Sequence, residues 1–301
     1  MVLFEFVLTQ ASLLVSMSFF TLLERKMLGS VQIRKGPNKV PVLGLVQPFM
    51  DAVKLLSKGS FEYSAILLHL WTVVPVLGLV LYLVLFEFVL TQASFALTMS
   101  FSLFFVMVFL GLGVYLLVLM GWLSNSKYSF LGATRAVSQA VSYELLLSVI
   151  LLVMAATQTS VLSHLMGVKL LLTGFVMMGF MFFYIVSMMA ESNRSPFDLM
   201  EGESELVSGF NTEYFSGVFA IIFMAEYVGM MFFSYLLYLL FLFLDIFYSI
   251  MVVVPSVVSL LYLVTRASLP RMRYDTLLKL CWENYLIFLF LILNFYLFFL
   301  G

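Results

Sequence analysis

Apolar runs long enough to cross a bilayer recur along the whole chain, separated by short polar segments. The runs fall at about 2–23, 64–86, 95–120, 141–158, 170–190, 215–240, 246–265 and 281–300. A hydrocarbon layer of about 30 Å asks for about 20 apolar residues at 1.5 Å each, so each run has the length of a spanning helix. Hydrophobic residues make up 63% of the 301 and charged residues only 10%, which excludes a soluble globular domain. The chain therefore reads as an all-α polytopic membrane protein, one transmembrane domain over 1–301 with eight spans. The first run has no basic leader region and no small-residue cleavage site, and reads as a retained span.

Eight spans put the polar segments 24–62, 121–140, 191–214 and 265–280 on one side. These segments hold 14 of the 15 Lys/Arg residues, in the proportion 7, 2, 1 and 4. That asymmetry points this side toward the cytoplasm, or toward the matrix in a mitochondrial membrane. Within the first segment, Leu43 to Lys58 carries Leu45, Phe49, Val53 and Leu56 at helical spacing, with Asp51, Lys54 and Lys58 between them. This predicts a short amphipathic helix at the membrane surface. The third segment, Glu191 to Tyr214, carries six acids (Glu191, Asp198, Glu201, Glu203, Glu205 and Glu213) against one base, Arg194. A segment with net charge -5 belongs in water, on a partner protein, or along a polar path into the membrane.

The single cysteine, Cys281, excludes an internal disulfide and a cysteine-held iron–sulfur cluster within the chain. His69 and His164 are too few for paired haem ligands, and no metal-ligand spacing, phosphate loop or nucleophile triad occurs. The near-neutral charge gives no sign of nucleic-acid binding. VLFEFVLTQAS occurs identically at 2–12 and 84–94. Both copies are expected at the outer start of a span running inward, without a two-fold transporter architecture.

Ionisable residues inside spans are functional candidates, because inserting them costs a few kcal/mol unless they face a polar interior. Glu144 lies about one turn into the fourth span and Glu226 about half-way down the sixth. Proton exchange is the chemistry expected of such carboxyls, and Glu191, Glu201, Glu203 and Glu205 extend them into an acidic route. Two classes fit these features: a proton-coupled transporter, and a membrane subunit of an energy-converting complex. The concentration of four polar connections on one side favours the second.

The segments LLERKMLGSVQIRKGPNKVPVLGLVQPFMDAVKLLSK (22–58), GWLSNSKYSFLGATRAVSQAVSYE (121–144), ESNRSPFDLMEGESELVSGFNTEY (191–214) and RASLPRMRYDTLLKLCW (266–282) resemble the inner loops of the subunit 1 family of respiratory complex I, NADH:ubiquinone oxidoreductase. The resemblance covers nearly the whole chain in matching order. It departs mildly at Gly59-Ser60, Ser192 and Ser195, and at the repeated segment.

The resemblance implies a core membrane subunit of a proton-translocating enzyme in the mitochondrial inner membrane, not catalytic by itself. It implies no redox centre in this chain, ubiquinone as substrate of the complex, and FMN and iron–sulfur clusters in partner subunits. The implied partners are other complex I subunits, chiefly the quinone-site subunits of the peripheral arm and small neighbouring membrane subunits, together with membrane lipid. By the same resemblance, Glu24, Arg25, Arg34, Asp51 and Arg273 line or brace a quinone channel, with Phe197 and Phe223 as apolar walls. Arg135 and Arg194 anchor loops. Glu144, Glu191, Glu201, Glu203, Glu205 and Glu226 start the route that couples quinone reduction to proton pumping.

Overall fold

A backbone in hydrocarbon must satisfy its own N–H and C=O groups, so long apolar runs dictate helices. The computed structural model describes residues 2–39, 44–59, 65–92, 99–161, 167–199, 209–241 and 248–300, and every regular element among them is helical. Helices α1 (Val2–Val31), α2 (Gln47–Ser57), α3 (Ala65–Gln92), α4 (Met99–Leu123), α5 (Lys127–Val161) and α6 (Gly167–Glu191) come first. A 3-10 turn, Gly209–Glu213, precedes α7 (Ser216–Phe241), α8 (Tyr248–Ser268), α9 (Tyr274–Lys279) and α10 (Leu286–Leu300). A π-helical turn, Leu280–Tyr285, joins α9 to α10.

Among the described residues, six helical stretches are long and apolar enough to cross a membrane: α1, α3, α4, α5, α7 and the continuous α9–α10. Two further apolar stretches, Met178–Glu191 in α6 and Val253–Ser268 in α8, are shorter.

Several boundaries differ from those expected. The second copy of the repeat does not open the third span; it closes α3, which runs on to Gln92. The copy contains no glycine or proline before that point and continues the apolar run begun at Ala65. The polar stretch 121–140 is mostly helix, since α5 starts at Lys127 after a turn in which Asn125 takes positive φ. Its polar residues did not break the helix because they find partners inside the protein, as Gln139 does below. α1 likewise carries Glu24 and Arg25, expected at the start of a loop, on its last two turns.

The core is built mainly by α4 against α5, α3 against α7, α3 against α4, and α5 against α6. Leu85, Tyr143, Tyr184, Phe180, Phe232 and Phe233 are its largest enclosed side chains. Two buried tyrosine hydroxyls are paired there, as burial favours. The Tyr184 hydroxyl donates to the Phe233 carbonyl at 3.0 Å, and the Tyr214 hydroxyl to the Met120 carbonyl at 2.9 Å. Tyr214 also stacks on Trp71 at 5.2 Å, and burial pushes its phenol above the usual range, so it stays a donor.

Two glycines permit close approaches. A Cβ on Gly121 would lie 2.1 Å from that of Ala133, where α4 and α5 turn past each other. Gly44 takes φ +85° with its Cβ position 2.2 Å from the Pro37 carbonyl oxygen, so only glycine fits.

The duplicated segment meets itself. Thr9 Oγ1 and Gln10 Nε2 of the first copy donate to Glu87 Oε2 of the second, at 2.8 and 3.1 Å. Gln10 also reaches the Leu83 carbonyl, so the two copies run antiparallel on α1 and α3. This contact gives the Glu87 carboxyl polar partners between two apolar helices.

Candidate functional site

Small residues on neighbouring apolar helices leave space between them. Pro75 and Gly78 on α3, Gly113 on α4, Ala140 on α5 and Gly229 on α7 border a cavity of about 80 Å³. Its walls are mostly apolar. Its polar lining comes from Tyr82 on α3, Glu191, Ser192 and Asn193 at the end of α6, and Glu226 on α7. Asn193 takes positive φ (49°) and turns the chain as it leaves α6, which keeps Glu191 and Asn193 at the cavity edge. Glu191 Oε2 and Asn193 Oδ1 are buried there without a hydrogen bond among the described residues. A carboxylate oxygen in that position is a place for water or a proton.

The acids lie near one another. Glu144 lies within electrostatic reach of Glu191, and its Oε1 is 3.0 Å from the position a Cβ would take on Gly111, so α5 presents it to α4 where no side chain intervenes. Glu191 and Glu226 both lie within electrostatic reach of the Tyr82 phenol.

From Glu226 the network continues through cations. Arg194, 7% exposed, pairs with Glu226 at 3.5 Å. Its guanidinium also lies over the Tyr227 ring, 4.7 Å from the centroid. The Tyr227 hydroxyl donates to one oxygen of Glu24, and Arg266 holds the other. Glu24 is 5% exposed, so the segment after α6, α7, α1 and α8 are tied together by one buried polar chain.

The segment after α6 is fastened twice more. Gln139, fully buried on α5, donates from Nε2 to the carbonyls of Ala190 and Phe197, both at 2.8 Å. The Met272 N–H donates to the Pro196 carbonyl at 2.9 Å, and Arg271 pairs with Asp198 at 2.9 Å. The segment before α9 and the segment after α6 thus hold each other.

The residues expected on a quinone channel are spread over several places, and none of them lines this cavity. Arg25 pairs with Asp51, which also accepts from Gln47 Nε2 at 2.9 Å, and this ties α2 to α1. Arg34 is exposed after α1. Phe197 is buried against Tyr143 at 6.0 Å, and Phe223 packs on Phe219 at 4.5 Å. Arg273 is exposed beside Asp275 at 3.2 Å. Arg135 is half-buried on α5. Of the acids expected on the route, Glu191 and Glu226 share the cavity and Glu144 is near it, while Glu201, Glu203 and Glu205 lie outside the described residues.

Sequence reasoning missed Tyr82, Gln139 and Tyr227. Tyr82 and Tyr227 look like ordinary residues of their apolar helices, and Gln139 like one more polar residue of the segment 121–140. The available signal was the set of glycines and a proline at matching depths in adjacent spans, since small residues facing one another either pack backbones closely or leave a cavity.

A family model described as NADH dehydrogenase matches residues 4–297. The chain is 42% identical to NADH-ubiquinone oxidoreductase chain 1 of Heterololigo bleekeri, over 94% of each chain. It is 41% identical to the protein of that name from Aedes aegypti, over 96% of this chain and 91% of the other. It is 45% identical to the one from Branchiostoma lanceolatum, over 91% and 88%.

Proposed function

Because the chain belongs to the NADH dehydrogenase family of NADH-ubiquinone oxidoreductase chain 1 proteins, we propose that it forms the membrane part of that enzyme's quinone channel and the start of the charged route coupling quinone reduction to proton translocation. The observation that carries this reading is the cavity shared by Glu191 and Glu226, with Glu144 in electrostatic reach. Carboxyls between apolar walls respond strongly to a nearby change of charge, because little solvent screens it. A quinone taking up electrons also takes up protons, and acids at the head of a polar path answer by giving or passing them.

In this reading Glu24, Arg25, Arg34, Asp51, Phe197, Phe223 and Arg273 line or brace the channel with partner chains, and mixed apolar and polar walls suit a head group with an isoprenoid tail. Arg135 and Arg194 anchor the loops beside it. Glu201, Glu203 and Glu205 extend the route begun by Glu144, Glu191 and Glu226. α6 and α8 complete eight spans with the six longer stretches, and α2 is an amphipathic helix at the surface. Its Phe49, Met50, Val53 and Leu56 are exposed and none of its residues is buried, which supports an apolar face covered by lipid or a partner.

The polar segments face the matrix, and the protein is a multi-pass component of the mitochondrial inner membrane. FMN and the iron–sulfur clusters belong to partner subunits of the peripheral arm, ubiquinone is the substrate of the whole, and this chain binds no redox cofactor. A native-gel profile of the source membranes, read by mass spectrometry, tests the assignment. The chain is expected to migrate with NADH:quinone activity in a particle many times its own 34.2 kDa. Migration alone, with that activity elsewhere, would overturn it.

A further inference from the structure

We propose that the Tyr82 hydroxyl connects Glu191 to Glu226 across the cavity, and that Gly229 holds the Tyr82 ring in place for this. The inference rests on the acid-route reading and adds a residue to it. Among the described residues lining the cavity, the titratable ones are Tyr82, Glu191 and Glu226, one each from α3, α6 and α7. Both carboxyls are within electrostatic reach of the phenol.

The ring is positioned by a gap in α7. A Cβ on Gly229 would lie 3.1 Å from Cε1 and 3.2 Å from Cζ of Tyr82, so the ring rests where glycine leaves room. Gly229 is three residues beyond Glu226, on the same face of α7. Packing needs only a ring there, and phenylalanine would supply it without a polar atom. A hydroxyl at an apolar wall calls for polar partners, and the cavity offers Glu191, Ser192, Asn193 and Glu226.

A phenol donates and accepts at once. It takes the proton of one protonated glutamate on its oxygen while passing its own to the other glutamate's carboxylate. The tyrosine ends neutral as it began, one proton has moved, and no co-reactant is consumed.

The test is Tyr82→Phe in the assembled enzyme in native membranes, beside Tyr82→Leu and Glu226→Gln. The phenylalanine variant is expected to assemble and to oxidise NADH normally with a hydrophilic acceptor, which reports on partner chains. Its quinone-linked turnover is expected to fall on the order of tenfold, with a larger slowing in D2O than the unmodified enzyme shows. Tyr82→Leu, which also lacks the hydroxyl, is expected to be slow as well, whereas a purely structural ring predicts wild-type turnover for Phe and impairment for Leu alone. Wild-type turnover in Tyr82→Phe with slow turnover in Glu226→Gln would remove Tyr82 and leave the acid route standing. Wild-type turnover in both would remove the route itself, and Tyr82 with it. If Tyr82→Phe fails to assemble, Gly229→Ala carries the test, because it keeps every polar group and displaces the ring. Slowed turnover supports the proposal and wild-type turnover overturns it.

Discussion

Replacing Glu226 with glutamine is expected to lower NADH:quinone turnover about 100-fold, the lower range of what a positioned proton-transfer group contributes. Oxidation of NADH by a hydrophilic acceptor should be unchanged. The substitution keeps the shape of the side chain and an oxygen that accepts from Arg194, so packing is conserved. It removes the ability to take or release a proton at a place where the cavity meets the buried cation network. It also leaves the Arg194 charge, 7% exposed, with a weaker counter-charge, and that adds a stability cost to the kinetic one. The two are separated by measuring turnover per assembled complex, with assembly read from a native gel. A Glu226→Gln enzyme that assembles and turns over at the wild-type rate would remove this residue from the coupling route.

Glu24→Ala is expected to destabilise the protein by about 1–3 kcal/mol, the range for leaving a buried polar group without its partner. Glu24 gathers the Arg266 guanidinium and the Tyr227 hydroxyl in one place. Without it, Arg266, whose side chain is partly exposed, can turn toward water, but the buried Tyr227 hydroxyl loses its acceptor. The loss should appear as a lower midpoint for thermal dissociation of the assembled enzyme and less of it in the membrane. Glu24→Gln, which still accepts a hydrogen bond, should lose clearly less. Equal losses for alanine and glutamine would show that the carboxylate's hydrogen bonds do not hold α1, α7 and α8 together here.

The helical architecture was legible because one physical rule dominates it: backbone in hydrocarbon must bond to itself. The helix ends were less legible. Polarity suggested a loop at 121–140, but Ser138 and Gln139 bond inside the protein rather than to water. The duplicated VLFEFVLTQAS was read as the start of one span and forms the end of another, since an identical sequence carries no sign of its direction through a membrane.

Among the acids, Glu144 and Glu226 stood out because a carboxyl in an apolar run is costly, and Glu191 because it opens the acidic segment between two such runs. Which cation each would meet was not legible. The Arg194–Glu226 and Arg266–Glu24 pairs join residues 32 and 242 positions apart, and only the packing of α1, α7, α8 and the segment after α6 brings them together. Tyr82 was invisible for the reverse reason, since an aromatic in an apolar span is the commonest kind of core residue.

The measurement that bears most directly on the coupling route is infrared difference spectroscopy of the assembled enzyme, taken as the quinone is reduced. If Glu191 and Glu226 exchange protons in step with the quinone, reduction changes the carboxylic-acid C=O stretch. That change should shrink in Glu226→Gln. A carboxyl signal of the same size in the unmodified enzyme and in Glu226→Gln would contradict the account, because the acids that answer the quinone would then lie elsewhere.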